Sequence, residues 1–191
     1  MSDDSKQFIT AAVIHGFAVA HAGTAAALSQ TLIGDEAALT ALTITMIIVI
    51  SRVNGKEWGV GEGLALIGTM AGYYLGTRGL VFLVKWIPGI GNAANAIATF
   101  GVTELLGWTT YLLVRKGRNP KNVSKAEAKA LSREARELRQ RMKAMEERLE
   151  KMSSSDKTEY KRIITTLRDR DISETRRAEL IDELERLLAR Y

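Results

Sequence analysis

Cysteine is absent from the 191 residues, which excludes disulfides, cysteine-ligated metals and thiol nucleophiles. Histidine is nearly absent. His15 and His21 both stand among apolar neighbours, which leaves almost nothing for a histidine-based triad or metal site. Proline occurs only at positions 88 and 120, so long helices can run without interruption elsewhere. No Gly-x-x-x-x-Gly-Lys-[Ser/Thr] phosphate loop is present, and Val53-Asn54-Gly55-Lys56-Glu57 is only a basic turn. No constellation supports a chemical reaction, so a non-enzymatic protein without cofactor or metal is expected.

What is present is unevenly spread. The chain carries 27 basic and 22 acidic side chains, net +5. Residues 1–116 hold seven of each sign, so the whole excess lies in the last 75 residues. The apolar half contains a 28-residue uncharged run, 7–34, about 42 Å of helix against a hydrocarbon core of ~30 Å. Three further apolar stretches follow, and Pro88 with Gly89 and Gly91 breaks the chain between the last two. The pattern predicts an all-α fold. Four membrane-embedded helices are expected at about 7–33, 36–52, 59–85 and 91–114, forming a membrane domain over 1–116. A basic linker, 117–123, and a cytoplasmic coiled-coil or helical-hairpin domain, 124–191, follow.

Arg115, Lys116, Arg118, Lys121, Lys125 and Lys129 follow the last span, opposed only by Glu127. The positive-inside rule then places the C-terminal part in the cytoplasm of a multi-pass bacterial inner-membrane protein. Arg115, Lys116, Arg118 and Lys121 are expected to meet anionic lipid headgroups. Small residues recur every fourth position: Gly68, Gly72 and Gly76 in the third helix, and Ala12, Gly16, Ala20 and Thr24 in the first. Gly91, Asn95, Thr99, Thr103 and Gly107 repeat the spacing in the fourth. Such ridges let helix backbones approach closely, within one chain or between chains.

Residues 10–114 resemble a bacterial membrane domain of unknown function, the DUF697 type. The resemblance rests on Gly34-Asp35, the run from Met46 to Arg52 ending in Val53-Asn54-Gly55, the Gly68/Gly72/Gly76 ridge and Lys85-Trp86-Ile87-Pro88-Gly89-Ile90-Gly91. Leu105-Leu106-Gly107 completes it. Such domains often follow Era-like or dynamin-like GTPase domains. The resemblance therefore implies a membrane-embedded partner of a GTPase, which here would be a separate chain. The helical tail lies outside the resemblance.

In the charged half, apolar residues fall on heptads from Ser124 onward. Positions a are Ala128, Ala135, Met142 and Leu149, and positions d are Leu131, Leu138, Met145 and Met152. Unbroken 3/4 spacing supports a coiled coil about 43 Å long. Glu134 would face Arg139 of a parallel neighbour, and Arg141 would face Glu146. Packing against the two short helices that follow is the alternative. Asp156-Lys157-Thr158-Glu159 reads as a capping box for the first of these, and Ser173 as the cap of the second. The charges alternate in sign along solvated faces, so no nucleic-acid partner is expected.

Two functions follow. The first is a self-associating inner-membrane scaffold that recruits a cytosolic partner such as a GTPase. The second is a homo-oligomeric, cation-preferring ion channel or pore gated by the cytoplasmic helices. The ionisable residues among apolar stretches, His15, His21, Glu62, Arg78 and Glu104, discriminate the two, with Asn95, Thr99 and Thr103 beside Glu104. Structurally, Arg78 could pair with Glu104, and the histidines could bond to helix carbonyls.

Overall fold

Helix-forming residues dominate, and serine or a left-handed glycine stands where the helices begin or end. The computed structural model describes residues 2–28, 35–76, 92–140 and 142–191. Eight α-helices and no strand occur among the described residues. They are α1 (Asp3–Leu28), α2 (Asp35–Val53), α3 (Val60–Gly76), α4 (Asn92–Arg115), α5 (Lys125–Gln140), α6 (Met142–Lys151), α7 (Ser154–Leu167) and α8 (Glu174–Leu188). A single 3₁₀ turn, Pro120–Asn122, precedes α5. The break around Pro88 and Arg78 lie outside the described residues.

The helix ends follow local chemistry. The Ser2 hydroxyl accepts from the Ser5 N–H at 3.1 Å, and Asp3 and Asp4 oppose the positive end of the α1 dipole. α2 and α4 both stop at a glycine with positive φ, Gly55 (75°) and Gly117 (63°). At each, the glycine N–H bonds three residues back and the next N–H bonds five back, a Schellman closure. Ser173 caps α8, as the sequence predicts. The cap of α7 is Ser153 and not the Asp156 box. Ser153 accepts from the Asp156 N–H at 3.1 Å, and Asp156 instead pairs with Arg190 and Tyr191.

α1 is the central element, packed against α4 and α2 and also touching α6, α7 and α8. A Cβ on Gly107 would stand 2.6 Å from Ile14 Cγ1, so the glycine lets α4 approach α1. Gly16 does the same for α7, where a Cβ would meet Ile164 Cγ2 at 2.7 Å. These small residues serve contacts within the chain. One continuous core runs from Ile9 through Ile47 and Leu113 to Leu131, Ile163 and Leu187. It therefore crosses from the apolar half into the charged half. Tyr160 Oη on α7 donates to the Ala12 carbonyl at 2.7 Å.

Two expectations are corrected. Among the described residues, no helix is long and apolar enough to cross a membrane, which overturns the multi-pass inner-membrane placement with a cytoplasmic C-terminal domain. The physical reason is composition and length. α1 is alanine-rich and interrupted by two histidines, α2 opens on Asp35-Glu36, and α4 carries Glu104 among threonines. α3 spans 17 described residues, about 26 Å. Secondly, the heptad seam is occupied within the chain. Ala128, Leu131, Ala135, Met145 and Met152 are buried, Leu138 and Leu149 partly so, and α5 lies against α4 and α3. The Met142 side chain lies outside the described residues. Glu134, Arg139 and Glu146, expected to face a neighbouring coil, pair within the chain with Lys116, Glu104 and His15.

The basic residues expected at lipid headgroups also have acidic partners within the chain. Arg115 pairs with Asp3 at 3.1 Å, Lys116 with Glu134 at 2.5 Å, Arg118 with Glu127 at 3.0 Å and Lys121 with Glu62 at 2.5 Å. These are exposed pairs that fix orientation more than they stabilise.

Candidate functional site

An acid on a helix packed into a core needs a cation or a proton, since burying an unpaired carboxylate is costly. Glu104, three turns before the end of α4, is 2% exposed. Its Oε2 lies 2.5 Å from Nε of Arg139 on α5. The guanidinium lies across Gly101, one turn earlier on α4, where a Cβ would sit 3.7 Å from Nη1. Arg139 is itself exposed. Burial raises the Glu104 carboxyl above its ordinary range. The Arg139 charge opposes the rise, and the Glu146 charge adds to it.

Glu146, on α6, carries the cluster on to α1. Its Oε1 stands 3.7 Å from His15 Nδ1, a nitrogen with no hydrogen-bond partner among the described residues. The His15 ring meets the Phe100 ring edge-on, with centroids 6.1 Å apart. Burial lowers the His15 pKa, and the Glu146 charge partly offsets it. A cleft of about 310 Å³ opens beside this pair, lined also by Glu150, Lys157, Tyr160 and Lys161. Four helices thus bring together one buried acid, one exposed arginine, one half-buried acid and one histidine that burial keeps neutral. The cluster can hold or exchange a proton and couple it to the seating of α5 and α6 on α1 and α4. It contains no nucleophile paired with a base.

The other predicted residues are dispersed. His21 pins α1 to α2: its Nδ1 bonds the Phe17 carbonyl at 2.8 Å, and its Nε2 faces Thr43 Oγ1 at 3.2 Å and the Leu39 carbonyl at 3.3 Å. Burial lowers its pKa. Glu62 lies at the start of α3. It accepts from Lys121 Nζ and from the Gly59 N–H at 3.0 Å, and these bonds hold its pKa at about 2. Thr99 and Thr103 are buried, and the Thr103 hydroxyl donates to the Thr99 carbonyl at 2.8 Å. The polar ridge of α4 therefore faces its own chain. The side chain of Asn95 lies outside the described residues, as do the surroundings of Gly72 and Gly76.

Gly68 is different. Among the described residues, nothing lies within 4 Å of where its Cβ would stand. Val60 and Leu64, at the same four-residue spacing on α3, are 57% and 52% exposed. The opposite face of α3 is spent inside, with Leu66 and Met70 buried and Gly63 against Ile44.

Sequence reading missed Arg139 and Glu146 as partners of Glu104 and His15, because the heptad pattern assigned them to a neighbouring chain. It also missed Arg177, although a signal was present. Arg177 occupies the apolar stripe of α8 at the spacing of Leu180, Ile181 and Leu184, and it is 3% exposed.

No family model, no characterised protein and no solved structure matches this chain. The DUF697 resemblance and the GTPase partnership it implies gain no support from those comparisons.

Proposed function

We propose that this chain is a non-enzymatic, self-associating helical scaffold that pairs through α3. The observation that carries the reading is the ridge Val60, Leu64 and Gly68, two large apolar side chains open to solvent beside a bare glycine. An exposed apolar ridge on a helix whose opposite face is buried favours a protein partner. The ridge is self-complementary. In an antiparallel pair centred on Leu64, Val60 of one copy stands opposite Gly68 of the other, and the converse holds across the twofold axis. A large side chain then meets a gap at both ends of the contact.

The channel reading draws less support, because Glu104, Thr99 and Thr103 face the interior of a single chain. Sedimentation of the full chain across a wide concentration range tests the scaffold. The wild type should form a concentration-dependent dimer. Leu64→Asp should weaken it at least about tenfold while leaving the fold intact, since each copy loses one apolar side chain from the contact. A wild type that stays monomeric at every concentration, with Leu64→Asp indistinguishable from it, refutes the proposal.

A further inference from the structure

Arg177 is the one cation on the buried face of α8. A guanidinium keeps its proton inside a protein, so its charge is permanent and its N–H groups need acceptors. The acceptors around it are inadequate. Its Nε stands 3.5 Å from Glu174 Oε1, and neither Nε nor Nη1 has a hydrogen-bond partner among the described residues. Arg52, in the last turn of α2, approaches the same place. Its two terminal nitrogens reach Glu57 and Glu174 at 3.1 Å each, and its Nε is buried without a hydrogen-bond partner among the described residues. Both arginines line one cleft of about 270 Å³, together with Val53, Glu174, Ile181 and Asp182. That volume is close to the low end of ordinary small-molecule sites. The first turn of α8 borders it, so the positive end of a helix dipole adds to the two guanidiniums.

We propose that this cleft binds a small organic anion through its carboxylate or phosphate group. Arg177 and Arg52 donate to the oxyanion, and Val53 and Ile181 form the wall for its apolar body. Glu174 is the internal competitor. Its carboxylate spans the two arginines while meeting neither fully, and the bound oxyanion takes over that position. Glu174 is largely exposed and can turn to solvent without being buried unpaired. Asp182, on the exposed side, disfavours a densely charged ligand and selects one with a single anionic group. The site is independent of the α3 ridge and stands whether or not the chain self-associates.

The test uses the full chain with inorganic phosphate and sodium butyrate as separate probes, each balanced against sodium chloride at constant ionic strength. Thermal unfolding and titration calorimetry read the response. One or both anions should raise Tm in a saturable way that chloride does not reproduce. A response to phosphate alone assigns a phosphate group, to butyrate alone a carboxylate, and to both an oxyanion of either kind. Arg177→Gln should weaken the half-saturating concentration about tenfold or more, the loss of at least one charge-assisted hydrogen bond. Because Arg177 is buried, Glu174→Gln supplies a second arm that leaves the core untouched. It removes the competitor and should tighten binding about tenfold. The proposal is overturned if neither anion exceeds chloride, or if Glu174→Gln leaves half-saturation unchanged.

Discussion

Removing Arg139 isolates Glu104, and the cost can be bounded from both ends. A buried carboxylate stripped of its cation costs about 3–5 kcal/mol while it stays ionised. It need not stay ionised. Taking up a proton at pH 7 from an ordinary value of 4.5 costs about 3 kcal/mol, at 1.36 kcal/mol per unit. Arg139→Ala is therefore expected to destabilise by at most about 3 kcal/mol at pH 7 through this route. At pH 5 the same escape costs below about 1 kcal/mol. The sign agrees with linkage: a carboxyl raised by folding binds more protons in the folded state. Its favourable contribution is present below pH 4.5 and is lost as pH rises through the folded value. Loss of Arg139 raises that value further and steepens the slope. Urea unfolding of wild type and Arg139→Ala between pH 5 and pH 7 should show a deficit that shrinks with acid. Arg139→Ala combined with Glu104→Gln should recover most of the deficit at pH 7, because the neutral amide fills the same space. A deficit constant from pH 5 to pH 7, unrelieved by Glu104→Gln, refutes the reasoning.

Glycine substitutions should separate the closed contacts from the open one. Gly107→Ala and Gly16→Ala, each with a Cβ inside 3 Å of an isoleucine, should cost about 1–3 kcal/mol in chemical denaturation. Gly68→Ala, measured on the dilute monomer, should gain up to about 1 kcal/mol from helix propensity, because no described atom lies near its Cβ. Proton NMR titration should place the midpoints of both His15 and His21 below 6.5, because burial lowers each. A histidine lowered by folding contributes stability that is present above pH 6.5 and lost as pH falls through its folded value. Midpoints at or above 6.5 would show the rings to be solvated.

Helix positions were largely legible in the sequence, and the occupants of helix faces were not. α2 and α4 lie within a residue of their expected bounds because Asn54-Gly55 and Gly117 impose left-handed closures that no neighbouring context overrides. The heptads announce an apolar stripe on α5 and α6, and its described side chains are buried or partly buried. Periodicity fixes a face but says nothing about what covers it, and here α3 and α4 serve where a second chain was expected. Glu104 was visible as a lone acid in an apolar helix. Its partner was not, since Arg139 lies 35 residues on and reads locally as a solvated heptad flank. The membrane reading failed for a related reason. A run can be long and uncharged without being strongly apolar, and alanine, glycine, threonine and histidine fill much of α1. Such residues suit close helix packing in a protein interior, where Gly16 and Gly107 make their contacts.

The charge asymmetry then acquires a different meaning. The charged half supplies amphipathic cover for the apolar half, and its excess of basic groups is spent partly on acids from the other end of the chain. Lys121 reaches Glu62, Arg139 reaches Glu104, and Glu174 and Glu146 reach back to Arg52 and His15. These cross-contacts hold α5, α6 and α8 in register on α1 to α4, because each is made to a different element. Covering by the four amphipathic helices α5 to α8 has a geometric consequence. α6, α7 and α8 follow α1, and α5 lies along α4 and one side of α3. α3 thus stands at the border of the cover, with Leu66 and Met70 turned inward and Val60 and Leu64 left in water. Covering those two side chains takes another surface shaped to a knob beside a glycine gap, and a second copy of α3 has that shape.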